Sequence, residues 1–172
     1  MTRLTHQSLQ QLRDDVSPFD ETNPGFSSGW WGYAGLGRVQ QRRQLYTFAE
    51  ESGEEVARAR LLTGETVYHP VSSKVLARHA TAVERLEVHV EFRRRSHFND
   101  GAAALQPPRR YGTKTLRQLE QLHPNSTLFA FAGGDQASEE ARDALKFWHS
   151  TGWEFIPGPD GSRDAPLFVL WR

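Results

Sequence analysis

The segment AVERLEVHVEFRRR (82–95) constrains the fold more tightly than any other stretch, because its side chains alternate with period two. Leu86, Val88, Val90 and Phe92 share one face, and Arg85, Glu87, His89 and Glu91 share the other. A strand with one apolar face must lie on a core, so the chain needs a sheet. The period then changes. In RRYGTKTLRQLEQL (109–122), Leu116, Leu119 and Leu122 fall on one helical stripe, reached through Arg109, Arg110 and Gly112. The first turn of a helix presents unpaired N–H groups and partial positive charge. Glycine lets an anion approach such a turn with no Cβ in the way. A phosphate-binding turn and an ordinary basic surface loop both satisfy these residues.

The remaining segments read more simply. Leu9, Leu12 and Val16 predict a short amphipathic helix over about 6–16, stopped by Pro18. Residues 17–37 read as a loop whose Trp30, Trp31 and Tyr33 either line a pocket or cover a core edge. QLYTFAEE (44–51) and GEEVARARLL (53–62) predict an antiparallel hairpin about Ser52-Gly53. Residues 63–73 read as loop and 74–82 as a short helical segment. SHFNDGAAALQPP (96–108) interrupts, with Asn-Asp-Gly and Pro107-Pro108 as breakers. LFAFA (128–132) predicts a buried strand. Ser138 is a candidate N-cap, with Glu139 and Glu140 in the first turn of a second helix. Its apolar stripe is Ala137, Ala141, Ala144, Leu145 and Trp148, and Gly152 stands where a C′ glycine belongs. WEFI (153–156) and PLFVLW (166–171) predict two antiparallel strands. The expectation is a mixed α/β chain with one central sheet and a single domain over 1–172.

Composition excludes several chemistries. The net charge is zero, which argues against nucleic acid as the main partner. There is no cysteine, hence no disulfide, thiolate metal site or thiol nucleophile. The seven histidines form no H-E-x-x-H pattern, so no metal is expected. No phosphate-binding G-x-x-x-x-G-K loop occurs. The first residues lack an apolar signal core, and no run approaches the ~20 apolar residues that span a bilayer. A cytoplasmic protein without membrane contact is expected.

Three of these segments, in this order, resemble the GCN5-related N-acetyltransferase superfamily. LEVHVEFRRR resembles that family's fourth strand, an alternating L-x-V followed by an aromatic and arginine. Arg109-x-x-Gly112-x-Lys114 is similar to its pyrophosphate loop, R/Q-x-x-G-x-G/A, with Lys114 where the family prefers Gly or Ala. ALKFWHSTGW (144–153) resembles its A-x-x-F-Y-x-x-x-G-F segment, which brings in Phe147 and places Trp148 on the family's tyrosine. Tryptophan cannot exchange a proton there. A rival register puts the loop at FRRRSHF, with Ser96 in place of glycine. Gly112 is preferred because a leucine-striped helix of the right length follows it.

The resemblance implies a mixed, mostly antiparallel sheet that splays between its fourth and fifth strands. It implies acetyl-CoA as co-substrate and an amine of a small molecule or protein as acceptor. The pyrophosphate would sit on amides of Tyr111, Gly112, Thr113, Lys114 and Thr115, assisted by Arg109 or Arg110. The pantetheine arm would lie along Leu86, Val88 and Val90, and an amide near Val88 or His89 would polarise the thioester. Attack needs a neutral amine, and neutralising a lysine-like ammonium at pH 7 costs about 4.6 kcal/mol. Glu87 and His89 are the candidate bases, and Tyr111 or His149 the candidate acids. Two alternatives remain: an acyl-CoA-binding module of the same fold without catalysis, and a small nucleic-acid-binding protein using the arginine clusters. A homodimer is left open.

Overall fold

The computed structural model describes residues 3–9, 17–27, 42–92, 110–131, 139–159 and 166–172. Seven strands form one sheet: β1 (Thr5–Leu9), β2 (Arg43–Ala49), β3 (Glu55–Tyr68), β4 (Val75–Val88), β5 (Leu128–Phe131), β6 (Glu154–Ile156) and β7 (Leu167–Leu170), in the order β1-β2-β3-β4-β5-β7-β6. Two helices, α1 (Tyr111–Leu122) and α2 (Glu139–His149), flank β5 in the chain. The order after β4 (helix, strand, helix, strand, strand) is the one expected. The chain divides into two compact units, Met1–Arg60 with Arg85–Leu119, and Leu61–Glu84 with Glu120–Arg172.

In the first unit, β1 runs antiparallel to β2, in register from Thr5↔Ala49 to Leu9↔Leu45. The helix expected over 6–16 is therefore wrong for its first four residues, 6–9, and 10–16 lie outside the described residues. Helical spacing of three apolar residues is a weak local signal, and pairing to a neighbouring strand outweighs it. The β2–β3 hairpin is as expected: the Gly53 N–H donates to the Glu50 carbonyl, and Glu50 donates to Glu54. Gly53 takes a φ of 88°, which a side chain would oppose. Phe48, Val56, Leu116 and Leu119 are buried, so the leucine stripe of α1 is a core stripe. The side-chain carboxamide of Gln118 donates through Nε2 to the Leu4 carbonyl at 2.7 Å and tethers α1 to the chain just before β1.

In the second unit, the expected loop is corrected to strand over 63–68 and the expected helical segment to strand over 75–82, while 69–73 lie between strands as expected: β3 continues to Tyr68 and β4 begins at Val75. A tight turn joins them, with the His69 N–H on the Lys74 carbonyl and the His69 Nδ1 accepting the Val71 and Ser72 amides. Two alternating half-buried runs stabilise each other across a hairpin, a pairing that neither run shows alone. β5 lies parallel to β4 and antiparallel to β7, and β6 pairs antiparallel with β7. The β4–β5 register comprises Thr81↔Leu128 and Ala82↔Phe129, although β4 runs on and β5 continues to Phe131. Val67, Ala80, Phe129, Leu167 and Val169 form a core cluster. α2 ends as expected, with Gly152 at φ 81° and the Thr151 hydroxyl donating to the Trp148 carbonyl.

Candidate functional site

The expected site residues of the first unit gather where β4 ends and α1 begins. β4 stops at Val88, and Val90–Phe92 form a 3-10 turn, so the strand expected over 82–95 is shorter at this end. The face assignment changes with it. Val90 is 42% exposed, while Glu87, expected on the solvated face, is 8% exposed. The reason lies in residues 17–27, which supply the polar partners that let a carboxylate be buried. Glu87 Oε1 accepts the Ser27 N–H at 2.6 Å and the Ser27 hydroxyl at 2.8 Å, and Oε2 pairs with Arg85 at 3.1 Å.

His89 is held from three sides. Its N–H donates to the Val56 carbonyl at 2.8 Å, so that amide belongs to the pairing with β3. Its Nδ1 accepts the Glu91 N–H at 3.2 Å. Its ring lies edge-on to Phe26 at 5.2 Å and against Phe92 at 5.5 Å, and Phe92 in turn meets Tyr111 at 5.0 Å. A chain of rings, Phe26–His89–Phe92–Tyr111, thus links residues 17–27, the end of β4 and the first residue of α1. The next amide, of Val90, donates to the Gly25 carbonyl at 2.8 Å.

α1 starts at Tyr111, so Gly112 lies inside its first turn and not in the loop ahead of it. The Lys114 N–H closes the first helical bond onto the Arg110 carbonyl at 3.0 Å. Of the five amides expected to face a pyrophosphate, those of Lys114 and Thr115 therefore fall within the helical ladder, and those of Tyr111, Gly112 and Thr113 precede it. Arg110 is exposed and takes a φ of 53°, a left-handed conformation that costs a non-glycine residue of order 1 kcal/mol. Tyr111 is buried and Lys114 Nζ sits 5.3 Å from its ring centre. Thr115 is fully buried, and its hydroxyl has no hydrogen-bond partner among the described residues. A cavity of 240 Å³ opens beside this turn, lined by Leu4, Glu50, Glu51, Ser52, Tyr111 and Lys114. Its two carboxylates suit a cationic group and oppose an anion.

Phe147 and Trp148 belong to the second unit. Trp148 is 8% exposed and packs on Trp153 at 5.2 Å and Phe168 at 6.1 Å. His149 is exposed, with its ring against Phe155 and Phe168. Arg109, the arginines 93–95 and the aromatics Trp30, Trp31 and Tyr33 lie outside the described residues. Among the described residues, no three His, Asp or Glu side chains are grouped to hold a metal ion, and no helix is long and apolar enough to cross a membrane.

The sequence reading missed Gly25, Ser27 and Arg58. Arg58, in β3, is fully buried and reaches beneath residues 17–27. Its Nη2 donates to the Asp20 carbonyl at 2.7 Å, its Nε pairs with Glu55, and its guanidinium lies 4.1 Å from the ring centre of Phe26 and 5.1 Å from that of Phe19. The Asp20 carboxyl is held below its usual range by the Thr22 hydroxyl and amide, with a smaller contribution from Arg58. The one available signal was VARARLL: two arginines inside a strand between small apolar residues, a pattern that buries at least one of them only with dedicated partners.

No protein-family model matches the sequence, and no curated protein does. Among the solved structures similar to it are these two. One is a crystal structure of AtaTR bound with acetyl-CoA, at 13% identity and a TM-score of 0.48, covering 97% of this chain and 93% of that one. The other is a mutant AtaT toxin bound to the C-terminus of the antitoxin AtaR and acetyl-CoA, at 16% identity and a TM-score of 0.46, covering 96% and 92%. The sheet itself is of the kind expected from the sequence: seven strands, mixed, antiparallel at β1–β2, β5–β7 and β6–β7 and parallel at β4–β5, with the expected element order from β4 onward.

Proposed function

We propose that the chain is an acetyl-CoA-dependent N-acetyltransferase acting on a primary amine. The observation that carries the reading is the start of α1. A basic, strained residue stands directly before three amides that have no acceptor within the helix, and a ring-to-ring contact ties that turn to the end of β4. The pyrophosphate of acetyl-CoA would occupy the amides of Tyr111, Gly112 and Thr113, with Arg110 and Arg109 as its cations. It would approach from the side away from Glu50 and Glu51. The pantetheine arm would follow β4 past Leu86 and Val88. An amide near Val88 or His89 would polarise the thioester carbonyl, and that of His89 donates to the Val56 carbonyl in this structure.

In this reading the amine nitrogen attacks the thioester carbonyl carbon and the C–S bond breaks. The ammonium proton passes to Glu87 or His89, directly or through water, and the CoA thiolate takes a proton from Tyr111 or water. A second reading, an acyl-CoA-binding module without catalysis, is favoured by one observation: Glu87 already accepts three hydrogen bonds and His89 Nδ1 accepts another. Two measurements separate the readings. Thermal stabilisation by acetyl-CoA supports both, since a ligand of the native state raises stability by mass action. Thiol release from acetyl-CoA with a library of primary amines supports the enzyme alone. Stabilisation by an oligonucleotide and not by acetyl-CoA would remove both.

A further inference from the structure

We infer that residues 17–27 form a strap, latched from below by the Arg58 guanidinium, that positions Glu87 and His89. The inference rests on the acetyl-transfer reading of those two residues. The strap is irregular chain without ladder hydrogen bonds of its own, and side chains shape it: the Asn23 carboxamide accepts the Gly25 N–H at 2.9 Å and the Asp20 carboxylate accepts the Thr22 N–H at 2.9 Å. Phe19 and Phe26 are its apolar anchors, and Arg58 lies against both rings while also holding the Asp20 carbonyl. Arg58 has no exposed surface, so its charge reaches no substrate and acts through the strap.

The strap's far end meets the site at four points. Ser27 gives Glu87 two hydrogen bonds, Gly25 takes the Val90 amide, Phe26 packs on the His89 ring, and Gly25 lies close against that ring. A Cβ added at Gly25 would stand 1.7 Å from His89 Nε2, so only glycine allows this approach. Arg58 and Gly25 are thus positioning residues. They fix the direction of the Glu87 carboxylate and the orientation of the imidazole, and have no part in the reaction itself.

Two variants test this, Arg58→Met and Gly25→Ala. The first removes the latch and leaves the residues at the site intact. The second strikes the contact with His89 and leaves the buried charge in place. The full chain is followed by NMR of its histidine side chains and by steady-state kinetics with acetyl-CoA. The His89 ring resonances should shift in both variants, with those of His149 unchanged. kcat should fall about 10²-fold, the scale of a 1 Å misplacement, with acetyl-CoA affinity unchanged. Unshifted His89 resonances in either folded variant would overturn the strap, as would equal losses in kcat and in acetyl-CoA affinity. Should Arg58→Met not fold, Gly25→Ala alone decides the matter. Shifted His89 resonances in a protein that neither binds acetyl-CoA nor acetylates any amine would instead sink the catalytic reading and keep the positioning.

Discussion

The two units solve the same packing problem with opposite chemistry. Around Trp148, the second unit fills space with apolar rings: Trp153, Phe168 and Phe147 surround the indole. Around Glu87 and His89, the first unit fills space with a buried guanidinium, a buried carboxylate and a strap of irregular chain. Ring packing is tolerant in direction and strong in area, so it stabilises. Buried polar groups cost free energy unless every partner is in place, so they specify one arrangement and add less stability. The difference teaches that the end of β4 is arranged for geometry and the α2 region for adhesion.

The largest effect that would sharpen this contrast is Trp148→Ala. It should cost about 3–5 kcal/mol in urea unfolding, as large-to-small changes in a core do, while the His89 resonances of the folded variant stay in place. A loss below ~1 kcal/mol would break the comparison, because the indole would then not be core. Glu87→Ala comes next, at about 1–3 kcal/mol, the cost of leaving the donors of Ser27 and Arg85 without their acceptor. It should move the His89 resonances, as Trp148→Ala does not. Arg110→Gly has the opposite sign: relief of the left-handed strain should raise stability by up to about 1 kcal/mol. The same variant should weaken acetyl-CoA binding measured by calorimetry, because a cation is lost. Unchanged affinity would remove Arg110 from the phosphate site.

The smallest effect is a pH dependence in the second unit. Burial lowers the His123 pKa below its usual 6.5. The unfolded chain therefore binds a proton that the folded chain refuses, in the window from 6.5 down to the folded value. Stability from this residue is present above 6.5 and is lost as pH falls through that window. His123→Gln should flatten the slope of unfolding free energy between pH 5 and 7, and an unchanged slope would assign it to other groups.

The sequence made the α/β class, β2, β5, both helices and the β6–β7 pair legible, because each carries its signal locally. Leucines at helical spacing in 116–122 and an apolar run at 128–131 need no distant partner to be read. β1 and the β3–β4 extension were not legible, because their stabilisation comes from pairing across the sheet. Thr5–Leu9 is mostly exposed and is strand only because Leu45–Ala49 lies beside it. At the end of β4, the neighbouring positions of Glu87 and His89 on one strand were readable, and the ring contacts that run from His89 through Phe92 to Tyr111 were not. The burial of Glu87 was not, since Ser27 lies 60 residues away in the chain. The partners of Arg58 were not legible for the same reason: its role depends on Asp20 and Phe26, which no local pattern connects to it.

The account depends on the first turn of α1 binding a nucleotide diphosphate, and calorimetry of acetyl-CoA with Gly112→Glu tests this most directly. A glutamate in a helix's first turn favours the helix, through better propensity than glycine and a favourable dipole interaction, so the variant is expected to fold. The account predicts saturable binding by the wild-type protein and none by the folded variant, whose added bulk and negative charge occupy the phosphate position. Equal acetyl-CoA affinity in the two proteins, or none in either, would contradict it.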